Sequence, residues 1–455
     1  MRRTVRTIAG LALAGVAWLS AAAAAQPVLT ADRAVQLALE QNSQIINASA
    51  GVLDARGGVY GALSGVLPQV SAGLSRSGSW TRNQRGIQIF GGGLLVPSST
   101  DRYESYSTQP VLSGSWNALN LSSLSGLSAA RSSLKAAHWQ RASARNEVAL
   151  LARRQFYEVV KAVRLVGVSA SALQLARDNG RRVQALFDVG SVSRSDVLRA
   201  QVNTNQAVLD SIISQQSVLV QRAGLASLIG LEESKLGELD TVLTFTPQSF
   251  EEAGLLAEAA ANRPDLKAAA NELQAARASL WAARLQRLPY VTASGSVAFS
   301  PASSSKSTGV DEDGVPFTVS GRNEADRQVS GRVALNWDLF DGLATDARNA
   351  QARARLMRAQ DSRDVLHREL QSDVHEAVIT YQQTLAGEAT ASAARASALE
   401  NLKLIQQKYN VGSATILDLI DAQVQLQRAE SQEVSALAAI RVAEAQVQRV
   451  RGRLE

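Results

Sequence analysis

The 455-residue sequence predicts a mostly helical chain of two tandem repeats, each joining a long helical hairpin to two amphipathic strands of the membrane-spanning kind. Three observations carry that prediction. A 14-residue stretch, 188–201, recurs at 410–423, with Val, Gly, Ser, Asp, Ala and Gln at a constant offset of 222. Two long tracts, 111–246 and 317–455, contain no proline and are rich in Ala, Leu, Gln, Arg and Glu. After the Leu-Pro pairs at 67–68 and 288–289 the hydrophobic period changes from helical to two.

Residues 1–25 read as an export signal. Arg2, Arg3 and Arg6 precede a short apolar core, Ile8 to Leu19, and Ala23-Ala24-Ala25 forms a small-residue cleavage site. The two repeats are then expected over 26–248 and 249–455. Without the signal's three arginines the chain carries 44 basic against 41 acidic residues with the signs interspersed, so a nucleic-acid footprint is not indicated. The absence of cysteine excludes a disulfide framework, a thiolate metal site and a lipidated cysteine. Beyond residue 25 no uninterrupted apolar run is long enough for a membrane helix, which leaves a β-barrel as the way to cross a membrane.

Each repeat opens with an amphipathic helix. The first has Thr30 as N-cap and is expected to run to Leu67, and the second covers 257–288. Strands follow: Val70, Ala72 and Leu74 alternate with Ser71, Gly73 and Ser75, and Val291, Ala293, Val297 and Phe299 with Thr292, Ser294 and Ser296. Return strands around 112–116 and 329–339 repeat the alternation, and the Gly/Ser/Asp-rich segments between, about 81–106 and 301–328, read as loops. Ten of the 21 aromatic residues fall within 66–120 and 288–342, about a quarter of the chain, as interfacial girdles would require. Four strands cannot close a barrel, so further copies of the chain must supply the rest.

The proline-free tracts predict helices on the order of 100 Å long. In each repeated stretch Gly190 or Gly412 ends one helix, and Ser193 or Thr415, three residues before Asp196 or Asp418, caps the next. Asp421 lies one turn beyond Asp418, and its first-repeat equivalent is Arg199. Catalysis finds little support. The three histidines, His138, His367 and His375, form no H-E-x-x-H, and Gly91-Gly92-Gly93 lacks a strand-to-helix context, so no cofactor, metal or enzymatic activity is expected.

Across 27–455 the chain resembles the TolC-like outer-membrane efflux proteins. The features that carry the resemblance are the opening Leu29-Thr30 to Asn42, the two Leu-Pro pairs, Asn262-Arg263-Pro264-Asp265-Leu266, Trp337-Asp338-Leu339-Phe340-Asp341-Gly342, and the two tips. The resemblance implies a homotrimer whose chains share a twelve-stranded outer-membrane β-barrel and a twelve-helix periplasmic α-barrel. It also implies a periplasmic adaptor and an inner-membrane transporter of the RND, ABC or MFS type as partners. By the same resemblance the tips form the periplasmic aperture, with Asp418, Asp421, Asp196 and Tyr409 as gate residues and a Tyr409 to Asp196 hydrogen bond between tips. Gly190, Ser191, Ser193, Arg194, Gly412, Ser413 and Thr415 are the expected adaptor-docking positions. Two features depart from the pattern: Ala118-Leu119-Asn120-Leu121 stands where the second repeat has Leu339-Phe340-Asp341-Gly342, and segment 237–250 has no counterpart after Arg451. The competing reading is a non-conducting periplasmic coiled-coil scaffold between envelope layers; an exported hydrolase is a third.

Overall fold

The computed structural model describes residues 28–90, 94–301, 303–310 and 315–453; the export-signal segment and Gly91-Gly92-Gly93 lie outside them. Helices α1 (Ala31–Gln41) and α2 (Ser43–Ser64) lead into strands β1 (Gln69–Phe90) and β2 (Leu94–Leu119), then α3 (Leu121–Asp188) and α4 (Arg194–Ile229). The second half repeats the order with α5 (Glu252–Asn262), α6 (Pro264–Leu285), β3 (Tyr290–Ser300), β4 (Ser303–Val310), β5 (Pro316–Asn323), β6 (Asp326–Asn336), α7 (Ala344–Asn410) and α8 (Ile416–Val450). The contacts divide the chain into two compact units that cut across both repeats. One holds the chain up to Asn42 with Val148–Gln248 and Thr380–Gln446, the other Ser43–Glu147, Ser249–Ile379 and the chain from Val447.

In the first unit, Thr30 caps α1 by accepting from the Arg33 N–H. The segment after α4 runs beside the start of α1, where Leu29 donates to Glu238 O at 2.8 Å and Asp240 donates to Leu29 O at 3.0 Å. Helix α3 includes a stretch of mean hydropathy 1.4, apolar enough to cross a membrane by length and composition. Its Val159, Val160, Ala162 and Ala176 are buried within this unit, and Lys161 pairs with Glu158.

Neither opening helix is continuous, contrary to the sequence reading. Asn42 leaves the helical conformation (φ −67°, ψ 134°) and its side-chain amide donates to Leu228 O at 3.1 Å. The counterpart 221 residues later is Arg263, extended at φ −56°, ψ 122°, where Pro264 opens α6 at the position that needs no N–H. Both repeats therefore break the helix at the same place by different local chemistry.

In the second unit the strands form one antiparallel sheet. β1 pairs with β2, β2 with both β3 and β4, β3 with β6, and β4 with β5. The four ribbons expected from the sequence are present, the third interrupted at Pro301 and the fourth at Glu324-Ala325. The segments read as loops are instead largely strand: β1 stays in register with β2 out to Phe90 and Leu94. Gly, Ser and Thr supply little side-chain preference there, so the backbone ladder set lower down simply continues.

The two faces of the sheet differ sharply. On one, Ser71, Ser113, Ser296 and Ser330 occupy a single row across four strands, with hydroxyls 2.7 Å apart in the first pair and 2.8 Å in the last. The other carries Val70, Leu74, Leu112, Phe299, Val329, Val333 and Leu335, all exposed and broken on β1 by Arg76. Tyr106 and Trp116 bracket this face on β2, and Arg327 on β6 with Trp337 just past its end do so on the other side, ten residues apart in each case. Ten residues span about 33 Å along a strand and about 25 Å across a membrane at a tilt near 40°.

The Leu-Pro breaks that launch the sheet are secured alike in both repeats. Proline denies the preceding helix its continuation, and the freed carbonyl is taken by an indole: Trp116 Nε1 donates to Val66 O at 2.8 Å and Trp337 Nε1 to Arg287 O at 3.1 Å. The returns into helix differ. Asn120 caps α3 through its side chain, 3.1 Å from the Ser123 N–H. Ahead of α7 the chain passes through Gly342 (φ 65°) and Leu343 (φ 70°), while Asp341 accepts from the N–H and hydroxyl of Thr345. Since the repeat offset grows from 221 at the tryptophans to 222 at the tips, this turn is where the extra residue is readily housed.

Candidate functional site at the paired hairpin tips

Both repeated stretches belong to the first unit, and each forms the same turn. At the first, Gly190 adopts φ 81°, its N–H bonds Phe187 O and the Ser191 N–H bonds Leu186 O, both at 2.8 Å. At the second, Gly412 adopts φ 75°, with Gly412 to Tyr409 O at 3.1 Å and Ser413 to Lys408 O at 2.9 Å. This pair of bonds closes a helix through a left-handed residue, which glycine occupies without a Cβ penalty. No other group lies within 4 Å of a Cβ added at either glycine. Gly412→Ala is therefore expected to cost only the conformational term, about 1–2 kcal/mol by thermal denaturation; an unchanged midpoint would refute this account of the turn.

The next helices start with reciprocal caps. The Ser193 hydroxyl accepts from the Asp196 N–H at 3.2 Å, and Asp196 Oδ2 accepts from the Ser193 N–H at 3.1 Å and hydroxyl at 2.7 Å. Thr415 and Asp418 repeat the arrangement at 3.2, 2.8 and 2.7 Å. The Thr415 hydroxyl and N–H hold the Asp418 carboxyl below the ordinary carboxylate range. Asp418 and Asp421 are exposed. Arg194 is also exposed, its guanidinium 5.9 Å from the Phe187 ring centroid.

The two tips share one apolar cluster of Val183, Ala200, Leu402, Ile416, Leu419, Ala422 and Leu426, with Tyr409 packed against it. The expected Tyr409 to Asp196 hydrogen bond is not formed within the chain. Asp196 Oδ2 is occupied by its own cap, and the buried Tyr409 hydroxyl has no partner among the described residues. Burial, reinforced by the negative charge of Asp196, pushes the Tyr409 hydroxyl above the usual tyrosine range. A polar link between the hairpins comes instead from Arg182, which donates to Asn410 Oδ1 at 2.9 Å. Sequence reasoning missed this pair, and also Asn179, 5 % exposed with both amide atoms unpaired, and the buried Gln423 Oε1. The available signal was positional: Asn179 falls four residues before Val183, on the apolar face of α3.

The duplicated tips, the serine row and the exposed apolar face together define a membrane-embedded helical-hairpin protein. The model of the outer membrane efflux protein family matches residues 34–231 and 255–453, one match per repeat, and the chain belongs to that family. It is thus an outer-membrane protein. Nodulation protein T of Rhizobium leguminosarum bv. trifolii is 26% identical over 268 residues, a match covering 57% of this chain and 53% of that protein, about half its length. The outer membrane protein VceC of Vibrio cholerae shares the fold with a TM-score of 0.72 at 18% identity, covering 93% of this chain and 97% of that one. The open state of the MtrE outer membrane channel of Neisseria gonorrhoeae does so with a TM-score of 0.69 at 19% identity, covering 93% and 89%.

Proposed function

We propose that the chain is the passive outer-membrane exit duct of a tripartite efflux or type I secretion assembly. The observation that carries this reading is the sheet: one exposed apolar face of membrane height, one small polar face, and outer edges on β1 and on β5 and β6 that no strand among the described residues covers. Three copies supply twelve ribbons, with lipid outside and a serine-lined passage inside. The tips are then the periplasmic aperture, where Asp418 and Asp421 from three copies set six carboxylates around the constriction, and the exposed turn residues Ser191, Arg194 and Ser413 are docking points for a periplasmic adaptor. Such a duct performs no chemistry; an inner-membrane transporter supplies the energy and selects the cargo.

Purified protein should give discrete conductance steps in planar bilayers. Failure to form pores would favour a tethering scaffold. Val333 is 77 % exposed on the apolar face, so Val333→Arg should weaken membrane insertion by about 2–4 kcal/mol, read as loss of heat-resistant membrane-inserted protein. Normal insertion of that variant would remove the lipid-facing assignment.

A further inference from the structure

What the fold itself requires is present in both repeats, so a feature found in one copy only asks for another explanation. The helix–sheet junction of the second repeat holds such a feature. Trp281 and Arg284 lie on one exposed face of α6, with the guanidinium 5.6 Å from the indole centroid. Arg287 pairs with Asp346 at the start of α7 and Arg348 Nη1 donates to Gln286 Oε1 at 3.0 Å, beside the Trp337 to Arg287 carbonyl bond that both repeats share in kind. In the first repeat the counterparts of Trp281, Arg284 and Arg287 are Tyr60, Leu63 and Val66: the aromatic is kept and the charges are gone. Arg277 extends the same face one turn down, and neither it nor Arg284 has a carboxylate within ion-pairing distance among the described residues.

A second observation adjoins the patch. Gly114, Gly295 and Gly331 stand side by side across β2, β3 and β6, and floor a groove of about 400 Å³ on the apolar face, edged by Val70, Trp116 and Val333. Val333 of β6 is four residues before Trp337, about 13 Å along an extended chain.

We propose that this junction binds a phospholipid of the leaflet adjoining the helices, with its anionic phosphate held by Arg284, Arg287 and Arg348 and one acyl chain laid in the glycine-floored groove. Arginines bind phosphate oxygens through paired N–H groups, and exposed indoles sit at headgroup depth. The groove opens on the face assigned to lipid, so the occupant is continuous with that surface. Three such sites per assembly alternate with three uncharged first-repeat junctions. The inference rests on the barrel reading given above.

The test uses the full chain in nanodiscs containing phosphatidylcholine with phosphatidylglycerol. Lipid brominated near the headgroup should quench the part of the fluorescence that Trp281→Phe removes. The triple variant Arg284→Gln, Arg287→Gln, Arg348→Gln should co-purify with phosphatidylglycerol reduced roughly tenfold or more, since each arginine at an anionic surface contributes about a fivefold preference. The proposal is overturned if the Trp281 share is quenched by aqueous iodide and not by the brominated lipid, which would place that face toward the aqueous lumen, or if the triple variant keeps its phosphatidylglycerol. The headgroup-brominated lipid also quenches Trp116 and Trp337 at the border of the apolar face, and the quenching that Trp281→Phe leaves in place reports on these sheet tryptophans separately. Loss of that signal sinks the barrel reading, while its survival beside a negative Trp281 result sinks only the lipid site.

Discussion

Arg263→Ala is expected to destabilise the second unit by about 2–4 kcal/mol, less than the loss of one partner from a fully buried ion pair because the Asp265 and Asp373 side chains are 27% and 33% exposed. Arg263 is 7 % exposed and is the hub of the break between α5 and α6. It donates to Asp265 through Nε at 3.1 Å and Nη2 at 2.6 Å, and to Asp373 of α7 through Nη1 at 2.7 Å. The C-terminal turn closes over the same break: a Cβ on Gly452 would meet backbone atoms of Asn262 and Arg263 at 3.0 Å, and Arg451 pairs with Glu258 at 2.8 Å. Burial pulls the Asp265 carboxyl upward, and the hydrogen bonds and charge of Arg263 more than reverse this, so the group lies below its ordinary 3.8. Its contribution to stability is present above 3.8 and is lost as pH falls through the lower folded value. Without Arg263 only backbone N–H groups such as that of Leu266 oppose the burial effect, and acid unfolding should begin at higher pH. Denaturant midpoints and hydrogen exchange of the first α6 amides read both effects. If they match the wild type, the hub role is wrong.

The second large effect concerns the proposed aperture. Replacing Asp418 and Asp421 by alanine removes six carboxylates from the proposed trimer, and block by multivalent cations added from the periplasmic side should weaken about tenfold. The double variant also loses a cap at Asp418, so Asp421→Ala alone is the cleaner probe: the Asp421 side chain makes no hydrogen bond or ion pair among the described residues, and a change in its currents cannot be traced to a loosened turn. Unaltered cation block in both variants would take these residues out of the aperture.

The parts of the fold legible in the sequence are those fixed by neighbours a few residues apart. Gly190 and Gly412, with Ser193-Asp196 and Thr415-Asp418, determine their turns locally, and the structure contains both closing bonds and both caps. The change of period after Pro68 and Pro289 likewise reports a backbone that cannot remain helical. What stayed hidden depends on distant partners. Asn42 breaks its helix with the help of Leu228, and Arg263 is satisfied by Asp373, 110 residues away. The segments 81–106 and 301–328 read as loops because their composition is that of loops, whereas their pairing is inherited from the strands below. At the tips, no Tyr409 to Asp196 bond forms within the chain, where Asp196 Oδ2 serves its own cap.

The uncovered borders of the sheet bear on how the protein is made. β1 offers a 22-residue margin of unpaired amides and carbonyls, and the far margin offers those of β5 and β6. A newly exported copy in water therefore carries two adhesive ribbons that any extended peptide can join. Its safe lifetime alone is short, so encounter with sister chains and entry into lipid have to be rapid compared with misjoining, and overproduction should yield aggregates in steep proportion to synthesis rate.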